Sequence, residues 1–222
     1  MMTAEYYKPG DIVIFCDTGR EHEGTYKFVD DFERIEGIRI ERVIGFDFSS
    51  YIKEKKKVPN IKMRWCTVEA KIKPARKFLI ELGIKEYLNF IGFRFDEKSR
   101  IVSHVERYKN VKTIFPLFKY GIDKQFVLDY WNKKSYNLEI PQILGNCDAC
   151  FMKGKGAIIR IYQQFPELAN KWIEDENSAN GHTYIKGISH QKMLDIATEL
   201  NLKNSGCDIE KLKPEFNCSC GA

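Results

Sequence analysis

The sequence predicts an α/β fold: a Rossmann-like parallel sheet followed by a helical C-terminal extension. Two observations carry this. Short apolar runs alternate with helix patterns through the first half of the chain, whereas the second half holds helix patterns and little strand. Residues 12–16 are five apolar residues that run directly into Asp17-Thr18-Gly19, as a strand buried on both faces does before a polar turn. On the same grounds the chain divides into an α/β unit over residues 1–120 and a helical, cysteine-containing extension over residues 121–222.

The elements follow in order. Lys8-Pro9-Gly10 turns the chain into the first strand. Residues 23–35 read as a helix: Glu21 and Glu23 sit near its start, where acidic groups meet the positive end of the helix dipole. Tyr26, Phe28, Val29 and Phe32 give that helix an apolar face, and Gly37 ends it. Residues 38–43 alternate like a strand. Residues 45–60 are polar, lysine-rich and without a clear period, so the expectation there is a loop. A helix from about Thr67 is followed by one that Pro74 opens and Gly83 stops. Residues 88–92 are a second short buried strand, and residues 113–117 are an apolar segment ahead of a turn at Tyr120-Gly121. Asp123 caps a helix carrying Phe126, Val127, Tyr130 and Trp131. Further helices are expected over residues 157–165 and 166–176, with a last one capped by Ser189 and running to about Leu200. The tail from Asn204 has little periodicity and three cysteines.

Apolar residues at 43% and charged residues at 30% are ordinary for a soluble globular chain. No apolar run approaches the ~20 residues of a membrane span, and no secretory signal is evident. The expectation is a cytoplasmic protein without a membrane partner. The net charge of +5 comes from dispersed residues. Its sign favours an anionic ligand or nucleic acid without deciding between them. The cluster Lys53 to Lys57 reads as a solvated loop. Seven cysteines, an odd number without a secretion signal, argue against a disulfide framework and toward metal, cluster or thiol chemistry.

Five constellations are candidates for that chemistry. In Asp17-Thr18-Gly19, Gly19 can take a positive φ, and Thr18 and nearby amides can bond a phosphate or ribose; a purely structural turn is the competing reading. In Arg64-Trp65-Cys66-Thr67 with Lys71, Lys73 and Pro74, a thiol lies among cations, an arrangement suited to metal ligation, nucleophilic attack or anion binding. The competitor is a buried cysteine at a helix start. Cys147 and Cys150 form a CxxC, able to bind one metal, two corners of a cluster, or to act as a redox dithiol. Arg94 and Arg100, six apart beyond a buried strand, can converge on an anion or can belong to a charged surface loop. The terminal Cys218-Ser219-Cys220 offers two more thiols. His182 and His190 read as surface or cap residues, and Cys16 as core.

Together these motifs resemble the phosphoadenosine phosphosulfate (PAPS) reductase family of the PP-loop, adenine nucleotide alpha hydrolase-like group. DTG with an acidic helix start resembles its second strand-turn, and RWCTVEAKIKP is similar to its RWCT-type motif. GFRFDEKSR resembles its G-[IF]-R-x-[DE]-x-x-R segment, Phe115-Pro116-Leu117 its PL element, and the Cys66 to Cys147 separation that of cluster-holding adenylylsulfate reductases.

The resemblance implies reduction of an adenylylated sulfate, or ATP-dependent sulfur transfer. Asp17, Thr18 and Gly19 would contact the adenine nucleotide (ATP, PAPS or APS). Arg64, Lys71, Arg94 and Arg100 would hold the anionic group. Cys66, Cys147 and Cys150 would ligate a [4Fe–4S] cluster or zinc, and Cys218 or Cys220 would be the nucleophile under the reductase reading. A thiol reductant protein and a second copy of the chain are the implied partners. Thiolation of DNA or tRNA is the alternative activity, and a non-catalytic binding module derived from the family a third reading. In that family a strand and an SGG phosphate loop precede the DTG strand. Only ten residues precede Asp11 here, so the expectation is a chain that lacks that loop and is inactive as written, with an apolar sheet edge left open.

Overall fold

The computed structural model describes residues 7–104, 106–145 and 147–203. Its elements in chain order are β1 (Val13–Asp17), α1 (Glu23–Glu36), β2 (Ile40–Ile44), α2 (Phe48–Lys55), α3 (Lys73–Glu81), β3 (Tyr87–Phe90), α4 (Lys98–Val102), β4 (Val111–Ile114), α5 (Pro116–Lys119), α6 (Lys124–Asn132), α7 (Lys155–Gln164), α8 (Ala169–Asn177) and α9 (His190–Lys203). Strands and helices alternate as far as β4, and helices follow. This is the α/β fold with a helical C-terminal region that the pattern predicts.

The four strands form two parallel pairs. β1 lies beside β2 in the register Val13↔Ile40 to Asp17↔Ile44, and β3 beside β4 from Tyr87↔Val111 to Phe90↔Ile114. Parallel neighbours cannot be joined by a tight hairpin, and each pair has a helix in its crossover, α1 in the first and α4 in the second. Among the described residues the two pairs are separate sheets. Leu88 and Phe90, on one face of β3, remain 54% and 44% exposed.

Local chemistry sets the helix ends. His22 is the N-cap of α1, its Nδ1 accepting from the Gly24 amide at 2.9 Å, and Gly37 closes the helix with φ 66°. Residues 48–55, expected as loop, are helical. The Asp47 carboxylate accepts from the Ser50 amide at 2.7 Å, and Phe48 and Ile52, one turn apart, bury one face. The lysines that obscured this pattern lie at the C-terminal end, where cations complement the helix dipole. Pro74 stands in the first turn of α3, as expected, and the chain reaches it without a break. A turn at Trp65–Thr67 passes through a π-helical turn, Val68–Ile72, into α3. A proline in a regular helix clashes with the carbonyl four residues back, and the wider turn makes room for it. Pro74 in turn presses on Gly45, where an added Cβ would lie 2.5 Å from its ring.

The main apolar cluster draws on both halves of the chain. Phe48, Ile52 and Val58 pack with Leu144, Phe151, Ile158, Ile161, Tyr162, Trp172, Tyr184 and Met193. Ile52, Ile158 and Ile161 are fully buried, each contributing roughly 1.5–3 kcal/mol of apolar transfer. Of the surface or cap positions expected for His190, the structure rules out the surface: the residue opens α9 and is fully buried in this interior. Its ring stacks on Trp172, its Nδ1 meets the Tyr162 hydroxyl, and its backbone amide donates to Glu176. The aromatic packing explains the placement: a neutral imidazole stacks like any other ring. Among the described residues no helix is long and apolar enough to cross a membrane.

Candidate functional site

The turn after β1 is built from its own side chains. The Asp17 carboxylate accepts from the Gly19 amide and the Tyr26 hydroxyl, both at 2.7 Å, and Gly19 takes φ 67°. This is the left-handed conformation that favours glycine. Asp17 holds the Tyr26 phenol protonated, burial being the larger cause and the carboxylate the second. Thr18 is buried and donates to Oε2 of Glu21 at 2.6 Å. The Glu21 side chain is 1% exposed, and Lys71 reaches its other oxygen at 3.3 Å. Burial is the largest single influence on Lys71 and opposes its charge, but Glu21, Cys147 and Cys16 together outweigh it and lift the ammonium above its ordinary range.

Arg20, between Thr18 and Glu21, is the residue whose placement the sequence did not reveal. Its side chain is 3% exposed, and its Nη2 pairs with Asp175 of α8 at 2.7 Å. The same nitrogen donates to Ser49 of α2 at 2.7 Å, and the guanidinium lies 5.1 Å from the centre of the Phe48 ring. Asp175 also accepts from Ser49 and from the Tyr184 hydroxyl. Two more ties hold this turn to the C-terminal half. Lys171 donates to the Gly19 carbonyl at 3.0 Å, and Glu21 forms an isolated antiparallel bridge with Cys147. A signal for Asp175 does exist in the sequence. Trp172, Asp175 and Glu176 fall three and four residues apart on one helix face, and all three are buried.

These elements enclose a pocket of about 60 Å³. Its wall includes Thr18 and Arg20 from the turn, Arg64, Cys66 and Lys71 from the RWCT segment, and Cys147 and Cys150 from the CxxC loop. Three motifs far apart in sequence therefore meet there. None of Cys16, Cys66, Cys147 and Cys150 is in a disulfide. Burial raises the Cys66 thiol above its usual range, with Arg64 pulling the other way. Burial likewise raises Cys16, whose Sγ contacts the Lys71 carbonyl at 3.5 Å.

The donor set is of the soft thiolate kind that zinc and iron–sulfur clusters take. The thiols share the pocket but do not converge: among the described residues no group of three or more His, Cys, Asp or Glu is arranged to hold a metal ion. On the other side of the turn, Gly19, Arg20, Glu21, His22, Asp148 and Lys171 line a wider cleft of about 550 Å³.

The second pair of arginines lies elsewhere. Arg94 grips Asp96 through two bonds of 3.0 Å, and Glu97 lies between Arg94 and Arg100 at 3.4 and 2.6 Å. Arg100 also lies 3.9 Å over the Phe93 ring. The structure brings Arg94 and Arg100 together around Glu97, and neither lines the pocket of Arg64 and Lys71. Cys218 and Cys220 lie outside the described residues.

Comparison with known proteins agrees with the motifs. The sequence model of the phosphoadenosine phosphosulfate reductase domain matches residues 1–139. Uncharacterized protein MJ0066 of Methanocaldococcus jannaschii is 32% identical over 168 residues, which are 72% of this chain and 35% of that protein. Uncharacterized protein MJ0973 of the same archaeon is 26% identical over 173 residues, 73% of this chain and 40% of its own. The nin region protein ORF290 of Escherichia phage lambda is 24% identical over 200 residues, 76% and 67% of the two chains. The matches thus span well under half the length of the two archaeal relatives. No solved structure matches the chain. With the family's domain covering well over half of the residues, and its DTG and RWCT segments meeting at one pocket, the chain belongs to the phosphoadenosine phosphosulfate reductase family.

Proposed function

We propose that the protein acts in sulfur chemistry on an adenylylated or adenine nucleotide substrate, with the pocket between the DTG turn and the CxxC loop as its reactive centre. One observation carries this reading. Side chains from three separated segments, Thr18 and Arg20, Arg64 to Lys71, and Cys147 with Cys150, line the same pocket. Thiols supply the sulfur or metal ligation, and the cations beside them suit a substrate that carries oxyanion groups.

In this reading Gly19 and the turn around it border the wider cleft, whose volume of about 550 Å³ falls in the range of small-molecule sites. The nucleotide occupies that cleft, and a thiol reductant protein restores the thiols after turnover. Cys66, Cys147 and Cys150 are the thiols that would hold a zinc ion or an iron–sulfur cluster, which would supply thiolate-bound metal chemistry. Arg94 and Arg100, the second pair of candidate anion-binding residues, are held around Glu97 away from this pocket.

The test is anaerobic purification followed by iron, zinc and sulfide analysis of the wild type against Cys147→Ala, together with titration by ATP and adenosine 5′-phosphosulfate. The expected result is a metal lost in the variant and saturable nucleotide binding in both. A protein with no metal, no sulfide and no nucleotide binding at about millimolar ligand would sink the proposal.

A further inference from the structure

We propose that residues 53–64, at the edge of the cysteine pocket, form a docking surface for single-stranded nucleic acid. Basic residues are dispersed along the chain, but their surplus is local. The segment holds six cations, Lys53, Lys55, Lys56, Lys57, Lys62 and Arg64, against the single carboxylate of Glu54. The other 210 residues hold thirty Lys or Arg and thirty Asp or Glu, so the whole excess of +5 sits here. All six cations are exposed, and among the described residues only Lys55 pairs with a carboxylate, that of Glu54 at 2.7 Å. The dipole of α2 accounts for Lys53 and Lys55 in its last turn, but not for the four cations beyond it.

The segment is anchored. Val58 and Pro59 are buried, Val58 within the main apolar cluster. Asn60 and Met63 then exchange backbone hydrogen bonds of 3.2 and 3.1 Å, and Oδ1 of Asn60 accepts from the Lys62 and Met63 amides at 3.0 Å. This tight turn presents Ile61, 71% exposed, and Met63, 49% exposed, to solvent with Lys62 between them. Pro59 and Arg64 both line the cysteine pocket, so the turn that joins them lies at its edge.

Side-chain chemistry selects the partner. A row of cations on an anchored turn suits a chain of phosphates. Ile61 and Met63 alternate with Lys62 and Arg64, and Tyr51 lies 4.3 Å from the Phe46 ring and 4.9 Å from Trp65, under Lys55. Unstacked bases cover apolar and aromatic groups while their phosphates meet the amino groups. A duplex turns its bases inward and would leave Ile61 and Met63 against water. An anionic bilayer calls for an apolar helix face to insert, and α2 buries its own, Phe48 and Ile52, in the core.

The surface goes beyond the nucleotide reading and needs neither the thiols nor the wider cleft. Its test is fluorescence anisotropy of labelled RNA and DNA strands of about 20 nucleotides, titrated with the 222-residue protein. Both strands are expected to bind with a Kd of about 10 μM at about 50 mM salt, and the tighter of the two names the natural strand. At roughly 0.7 per phosphate and five surplus charges, the slope of log Kd against log salt should be about 3.5. A fourfold rise in salt then weakens binding about 100-fold. The variant Lys53→Gln, Lys56→Gln, Lys57→Gln, Lys62→Gln keeps the stems and removes four charges. It should lower the slope by about 3 and the affinity at least tenfold. The variant Lys85→Gln, Lys109→Gln, Lys112→Gln, Lys133→Gln loses the same charge from exposed lysines elsewhere and should change the affinity less than about threefold.

Duplex DNA, polyglutamate and vesicles containing phosphatidylserine serve as competitors, each expected to displace the strand poorly. No binding of either strand at about 100 μM protein, or an equal loss in the two quadruple variants, would overturn the assignment. So would duplex, polyglutamate or vesicles bound as tightly as the strand. A protein that binds the strand through these lysines but no ATP keeps the docking surface and loses the nucleotide reading, so the two failures are distinguishable.

Discussion

Replacing Asp175 by alanine should be among the most damaging single changes in this protein. The carboxylate is 2% exposed and accepts from Arg20 at 2.7 Å, from Ser49 at 3.1 Å and from Tyr184 at 2.7 Å. Its removal leaves a guanidinium charge in an interior where water cannot reach it. Breaking one side of a buried ion pair costs about 3–5 kcal/mol, a large part of the roughly 5–15 kcal/mol that stabilises a domain. For a chain of this size the melting temperature should fall by about 6–20 °C.

The double variant Arg20→Met, Asp175→Ala removes both charges and should recover most of the loss, because an apolar pair has no stranded ion. Urea unfolding followed by far-UV circular dichroism measures both. The reasoning is refuted if Asp175→Ala costs less than about 1 kcal/mol, or if the double variant is no more stable than the single.

Three further outcomes follow from the packing. Burial holds the His190 imidazole neutral and depresses its pKa to about 3 from 6.5, so only the unfolded chain takes up a proton between those values. The stability that His190 contributes is complete above pH 6.5 and is lost as pH falls toward 3, by about 2 kcal/mol between pH 7 and pH 5. His190→Gln should flatten that part of the pH dependence of the urea midpoint, and an unchanged slope would show that the ring is not buried. Gly45→Ala places a Cβ 2.5 Å from Pro74 and should cost about 1–3 kcal/mol in the same assay; a neutral effect would mean that the two segments part easily. Ile52→Ala should cost about 2–5 kcal/mol, as for a fully buried isoleucine, whereas a side chain in a solvated loop would cost almost nothing.

Where the sequence was legible, a local cause was at work. β1 and the DTG turn announce themselves because five apolar residues and a glycine of positive φ leave few alternatives. The helix caps at Asp123 and Gly37 follow from chemistry confined to four residues. α2 was hidden because its apolar face amounts to Phe48 and Ile52, and the lysines at its end resemble a solvated loop.

Contacts over long separations left the weakest trace. Arg20 meets Asp175 across 155 residues, and nothing in the composition of either neighbourhood names the other. The meeting of Cys66 with Cys147 and Cys150 in one pocket was anticipated from family likeness and not from periodicity. The likeness did not foresee that Arg94 and Arg100 would spend their charge on Asp96 and Glu97. Glu97 stands three residues from each arginine, a spacing that suits ion pairs along a helical turn as well as it suits two cations converging on a ligand.

The ties between the β1 turn and α8 bear on how this protein can be cut. The family's domain ends at residue 139, yet the partner of Arg20 is residue 175 and the donor to the Gly19 carbonyl is residue 171. A polypeptide stopped at the family boundary would open the floor beneath Phe48 and Ile52 to water and leave a naked cation inside the first turn. The segment that the family model matches is therefore shorter than the segment whose contacts bury Arg20. A fragment cut at residue 139 would lack the α8 carboxylate that neutralises Arg20.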